Sequence, residues 1–322
     1  MKERNIEIDI MKGIAILCVL LGHTTWIPGW LGTFIYSFHM PLFFIISGYF
    51  AKTYNEYQGS GLDYMLKNVR QLVVPYIVIA GLSCIYPLIQ SIYYCDFSLV
   101  SHKVIALVLS LDKTWADTLF DADVAPIWFL LALFWGRVIF YCLSRWEKWI
   151  IPISLILSIA MILLHSYVVT PFCIGRGLEG LFFIAIGWAY RKYGFPLWLK
   201  IVGVVCWLCS VWSGSLDMYF YRYSCLPIDI IGACGGTLTI YYVSKGIMKT
   251  FMMSFFSWCG RNSLLILGAH TIESSMTVIH VITSMLHIKW PSSIYYGIRH
   301  GITLVGVWSY EKISREVKNK IT

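Results

Sequence analysis

Charge is what this 322-residue chain has least of: 13% of its residues are charged against 58% hydrophobic. A soluble domain carries about 25% charged residues. With a mean hydropathy of +0.69, the composition excludes an ordinary soluble fold and points to a polytopic membrane protein. No low-complexity tract, charged linker or internal repeat divides the sequence, so residues 1–322 are read as one membrane domain. The net charge of +8 comes without any Lys/Arg run or folded basic module, which argues against nucleic acid as a partner. Metal-ligand spacing is also lacking. The "CWLC" pair, Cys206 and Cys209, sits inside an apolar run with no further ligands nearby, and no metal is expected.

What is present is a series of apolar runs. Ten are long enough to span a bilayer, centred near Val19, Pro41, Gly81, Phe134, Leu157, Phe183, Val205, Gly235, Gly268 and Thr303. The expected fold is therefore all-α, a transmembrane bundle of about ten helices. The first run leads through "WIPGW" straight into the second and lacks a small-residue cleavage site, so it is read as a retained span. Placing the N-terminus in the cytoplasm puts most of the 25 basic residues on that side, Lys2 and Arg4 through Lys318 and Lys320, and makes both termini cytoplasmic. The largest outer segment is then about Cys95 to Ala125, with Asp96, Asp112, Asp117, Asp121 and Asp123. Cys95, Cys173 and Cys225 fall towards the oxidising side, where a disulfide between two of them is open.

Against this apolar background the polar residues inside spans stand out, because ionisable groups facing lipid are costly. In "DIMKGIAILCVLLGH" the eleven steps from Lys12 to His23 return to within roughly 20° of the same azimuth and rise roughly 16 Å. Asp9, three residues before Lys12, joins that stripe. In the second run, "TFIYSFHMPLFFIISGYF", His39 reaches a depth similar to that of His23 if the two spans are antiparallel. Packing supplies a plainer reading for either histidine, a hydrogen bond to a backbone carbonyl that locks the helix pair. Arg176 and Glu179 lie three apart in "CIGRGLEGLFF", and Asp229 enters the eighth span from outside. Lys67, Arg70, Arg261 and Asn262 can join Lys12 at the inner face, or can be ordinary snorkelling residues. Together these groups suggest a cationic inner mouth suited to phosphates and an outer chamber with histidines and carboxylates.

The block "IDIMKGIAILCVLLGH" followed by "SFHMPLFFIISGYF" closely resembles the opening of the acyltransferase family 3 membrane proteins, whose signature is Arg or Lys, ten residues, then His. "PIWFLLALFW", "RGLEGLFFIAIGW" and "GRNSLLILGAH" resemble later blocks of the sugar O-acetyltransferase branch, such as fucose 4-O-acetylase-like proteins. The resemblance implies a multi-pass enzyme of the bacterial inner membrane. It would move an acyl group, usually acetyl from acetyl-CoA, to a hydroxyl of a surface carbohydrate or its lipid-linked precursor. It makes Lys12 the basic signature position and His23 the catalytic histidine, with His39 and Asp9 beside it, and Arg70 a donor-binding residue. Arg176, Glu179 and Asp229 fall to the acceptor side. One departure is local: some relatives carry Arg-x-Arg near Arg70, whereas this chain has Lys67 and a single arginine. A transporter or flippase for a glycan or anionic substrate is the alternative, since the same charges could line a path. No matching pair of broken spans in the two halves supports it.

Overall fold

The computed structural model describes residues 5–24, 27–110, 125–214, 216–276 and 291–321. Lys2, Arg4, Asp112, Asp117, Asp121 and Asp123 lie outside the described residues, as do the side chains of Lys318 and Lys320. Helix α1, Ile6–Gly22, begins where the Asn5 side chain accepts the Ile8 amide at 3.1 Å. Glu7 and Asp9 occupy its first turn, next to the positive end of the helix dipole.

The second apolar run folds as two helices rather than one. α2, Gly29–Tyr36, ends at Ser37, and α3, His39–Phe50, restarts after Phe38. Pro41 has no amide to return to the Ser37 carbonyl, so the ladder resets within the first turn of α3, where a missing N–H costs little. Trp207 clamps the joint by donating its indole N–H to Ser37 Oγ at 2.8 Å.

α4, Gly61–Asn68, opens with a reciprocal capping box between Ser60 and Asp63. It passes through a π-helical segment, Val69–Val73, into α5, Val74–Ser83. The bulge sits just ahead of Pro75, which cannot donate to the ladder. α6, Ile85–Tyr94, continues the same rod, and α7, Ser98–Leu109, folds back beside it. This last helix occupies part of the stretch expected as an outer loop. It is tied down by the Tyr76 hydroxyl, which donates to Leu107 O at 2.6 Å and lies 2.6 Å from Ser110 Oγ.

The remaining helices are α8, Trp128–Leu143; α9, Ile150–Leu164; α10, Ile174–Tyr193; α11, Leu197–Ser213; α12, Leu226–Ile247; α13, Met253–Arg261; α14, Ser263–Met276; and α15, Ser292–Ile321. Between α11 and α12 a short antiparallel hairpin pairs β1, Leu216–Asp217, with β2, Arg222–Tyr223. α10 is the central post, with Arg176, Glu179, Phe183, Ile184 and Trp188 all buried, and it packs on α3, α8 and α9. α1 packs on α3, α12 and α13. Large apolar side chains such as Ile77, Ile92, Ile156, Leu163, Leu208 and Trp212 face outward, the reverse of a water-soluble surface.

Five segments among the described residues are long and apolar enough to cross a membrane: Gly29–Phe50, Gly61–Tyr94, Glu147–Leu164, Pro171–Tyr193 and Leu226–Ile247. Ser98–Leu109, Trp128–Leu143 and Leu197–Ser213 are apolar but shorter. None of the ten cysteines is in a disulfide, Cys95, Cys173 and Cys225 included.

Candidate active site

α1 and α3 run antiparallel, and contacts at both ends fix that relation. At one end Lys12 Nζ approaches the Phe50 ring to 5.9 Å. At the other the Tyr36 hydroxyl donates to Gly22 O at 2.9 Å, and its ring meets His39 edge-on at 5.2 Å. Between these ends lies a cavity of about 370 Å3 lined by Lys12 and His23 of α1, His39 and Ser47 of α3, Arg137 of α8 and Asp217 of the hairpin. The Lys12-to-His23 stripe is thus one wall of a single cavity.

His39 is buried, and its Nδ1 lies 2.8 Å from the Ile35 carbonyl across the α2–α3 joint. A carbonyl can only accept, so Nδ1 carries the proton, and in the neutral ring Nε2 holds the lone pair. Behind His23 stands His270 of α14, ring centroids 5.4 Å apart, and behind that His300 of α15 at 5.7 Å. His270 is only 2% exposed, and neither of its nitrogens has a hydrogen-bond partner among the described residues. Two further imidazoles therefore stand behind His23, with ring nitrogens that no described residue hydrogen-bonds. Next to them Arg299 grips Glu273 with both ends of its fork, at 2.9 and 2.8 Å. No group of three or more His, Cys, Asp or Glu able to hold a metal ion occurs among the described residues.

At the hairpin end, Asp217 lines the cavity together with Tyr219 and Phe220. Burial pushes its carboxyl above the usual aspartate range, opposed by the amides of Tyr219 and Phe220 and by the charges of Arg222 and Arg176. Arg176 lies behind this wall. Its guanidinium sits 4.5 Å from the Tyr219 ring and 5.0 Å from that of Trp128, and donates to Tyr219 O at 3.1 Å. Glu179 accepts the Tyr223 hydroxyl at 2.5 Å. Asp229 reaches back to the Cys225 amide at 2.9 Å and accepts from Ser210 at 2.5 Å, which ties α12 to α11.

Of the residues singled out from sequence, Lys12, His23 and His39 share the cavity. Asp9 is buried one turn before Lys12 and does not line it. Arg176, Glu179 and Asp229 support the wall or the helix frame rather than lining the space. Lys67 and Arg70 are exposed, on α4 and the π segment. Arg261 is exposed and donates to Ser257 Oγ at 3.2 Å, while Asn262 is buried and donates to Trp258 O and Glu311. Asp217, Arg137, His270 and His300 were not singled out. Arg137 could have been, as the one charge in the sixteen residues of α8.

Comparison with known proteins adds a second line of observation. The family described as an acyltransferase domain matches residues 5–311. The nodulation protein NolL of Mesorhizobium japonicum is 30% identical over 243 residues, covering 64% of this chain and 56% of the relative. The nodulation protein NolL of Sinorhizobium fredii is 29% identical over 194 residues, covering 54% and 48%. The chain thus spans about half the length of these curated relatives. No solved structure matches it.

Proposed function

The chain belongs to acyltransferase family 3, and from that premise we propose that it is a membrane-bound O-acyltransferase that moves an acyl group, acetyl first among the candidates, from acyl-CoA to a carbohydrate hydroxyl. The acceptor is a cell-surface glycan or its lipid-linked precursor. The single observation that carries this reading is the cavity with Lys12 at one end and His23 with His39 at the other. Ligand pockets run from about 300 to 1,000 Å3. This one, at about 370 Å3, suits the thin arm and acyl end of a thioester donor, with the bulky nucleotide head held at the Lys12 mouth.

In this reading His23 takes the proton of the acceptor hydroxyl as the oxygen attacks the thioester carbonyl, and returns it to the departing thiolate. His39, its Nδ1–H committed to Ile35, offers Nε2 to orient the hydroxyl or share the proton. Asp217 at the hairpin mouth accepts hydrogen bonds from further acceptor hydroxyls, a role proposed also for Glu179 and Asp229 should the acceptor reach them. Arg176 holds the Tyr219 wall in place. Asp9 is proposed to steady Lys12 one turn away, and Lys67, Arg70, Arg261 and Asn262 to gather the donor at the inner face. The topology that serves this chemistry is a ten-pass bundle in the bacterial inner membrane with both termini cytoplasmic, since acyl-CoA is made inside the cell.

The test is incubation of the purified chain with labelled acetyl-CoA and candidate glycans. Acceptor-dependent release of CoA is expected, as is loss of the acyl mass from the surface glycan of a deletion strain. Transport of a glycan with no consumption of thioester would overturn the reading.

A further inference from the structure

α8, Trp128–Leu143, carries one charged residue, Arg137, among apolar neighbours. Its guanidinium is fixed by three neutral oxygens: Nε donates to Ser47 Oγ at 2.6 Å, and Nη1 to Asn68 Oδ1 at 3.3 Å and to Gln71 Oε1 at 3.4 Å. Among the described residues no carboxylate lies within ion-pair distance of it. Arg299 and Arg191, by contrast, are each matched to one, Glu273 and Glu56. A cation held inside a bundle without a counter-charge is costly, and such groups mark functional sites. The three bonds leave the two Nη2 protons of the fork unspent, and Arg137 lines the cavity.

Its position along the cavity follows from α3. Ser47, which anchors Nε, lies three residues before Phe50, whose ring Lys12 approaches. Arg137 and Lys12 therefore meet α3 about one helical turn apart, and both line the same space. The cavity's carboxylate, Asp217, comes from the hairpin at the other end. Two cations at one mouth, one a guanidinium held in place with its Nη2 protons unspent, make a site for a phosphate group, whose oxygens accept strong charge-assisted bonds from such donors.

We propose that Arg137, together with Lys12, forms the anion subsite that holds a phosphate of the donor's nucleotide head, with Ser47, Asn68 and Gln71 positioning the fork. The proposal rests on the acyl-CoA reading for the identity of the ligand, but the anion site itself does not. The π segment then has a purpose, because it delivers Gln71 to Arg137.

The experiment is calorimetric titration of the full chain, in nanodiscs of zwitterionic lipid, with CoA, pantetheine and inorganic pyrophosphate. Arg137→Gln is expected to weaken CoA binding about ten- to hundredfold, the worth of one charge-assisted contact. Binding of pantetheine, which lacks the nucleotide phosphates, should not change. Arg137→Lys should fall between, since charge survives without the fork. Ser47→Ala, which keeps the charge and loses the Nε anchor, should weaken CoA severalfold and covers the case in which Arg137→Gln fails to fold. Parental CoA affinity in folded Arg137→Gln, or in Ser47→Ala, overturns the proposal and leaves the acyltransferase reading standing. Arg137-dependent binding of pyrophosphate by a parent that ignores CoA does the opposite. Should anionic phospholipid in the nanodisc displace pyrophosphate in the parent but not in Arg137→Gln, the subsite takes a lipid headgroup, and the donor assignment falls.

Discussion

At the scale of single residues the site separates groups by the reaction step each can serve. His23 is the candidate base, so His23→Ala should lower turnover by about two to four orders of magnitude, the usual contribution of general base catalysis. CoA affinity, set at the other end of the cavity, should hold. Parental turnover in a folded His23→Ala protein removes this histidine from the mechanism. Asp217 supplies a test that needs no substrate. Burial first, against the pull of the Tyr219 and Phe220 amides, leaves its folded-state pKa above that of the unfolded chain. The folded form therefore favours the protonated carboxyl. The stability this contributes is fully present below the ordinary aspartate value of about 3.9, and is lost as pH rises through the folded value. Thermal unfolding in detergent should show the parent losing ground to Asp217→Asn over that window, with the two profiles parallel elsewhere. Profiles that stay parallel throughout would mean that the carboxyl is not in a desolvated site.

At the scale of helices, the stripe on α1 works only if α1 is held in register, and two glycines do this by removing the side chains between backbones. A Cβ on Gly13 would lie 2.0 Å from the Phe256 carbonyl oxygen, and one on Gly260 would lie 1.7 Å from that of Asp9. Gly260→Ala must therefore push α13 off α1 and move Lys12 and His23. Overpacking of this kind costs about 1–3 kcal/mol, so the melting temperature should drop by several degrees and activity should fall with it. Gly246→Ala in α12, where a Cβ meets nothing within 4 Å, is the control and should hold or raise the melting temperature. Equal behaviour of the two variants would refute the close-approach argument. The α1 stripe was legible in the sequence because helical spacing is local: Lys12 and His23 needed only eleven steps of 100° to share a face. The α2–α3 break was not, since an apolar run gives no sign of where its ladder resets. Nor was α7, which falls within the stretch read as an outer segment although Ser98–Leu109 is itself apolar. Arg137 escaped for a different reason. Its meaning depends on Ser47, Asn68 and Gln71, each more than sixty residues away in the chain.

At the scale of the whole molecule, the contacts sort the charges by end. The loop after α3 carries Glu56, which pairs with Arg191 at the end of α10, and Tyr54, whose ring takes Arg145 at 4.4 Å. Lys192 pairs with Glu147 between α8 and α9. These basic residues therefore gather at the Lys12 end of the bundle, while Asp217 and the hairpin close the His23 end. Positive charge collects on the cytoplasmic side of membrane proteins, so the Lys12 mouth should open to the cytoplasm, where acyl-CoA is available, and the hairpin should face outward. Two single-cysteine proteins, in a background with the native cysteines replaced, separate the alternatives. Gln58→Cys lies exposed in the loop after α3, and Arg222→Cys lies exposed on the hairpin. An impermeant maleimide applied to whole cells with a permeabilised outer envelope should label Arg222→Cys and spare Gln58→Cys, and inside-out vesicles should reverse the pattern. Labelling of Gln58→Cys from outside would invert the molecule. Lys12 and Arg137 would then meet the extracytoplasmic medium, which holds no acyl-CoA, and the cation-lined mouth would have to serve some other anion.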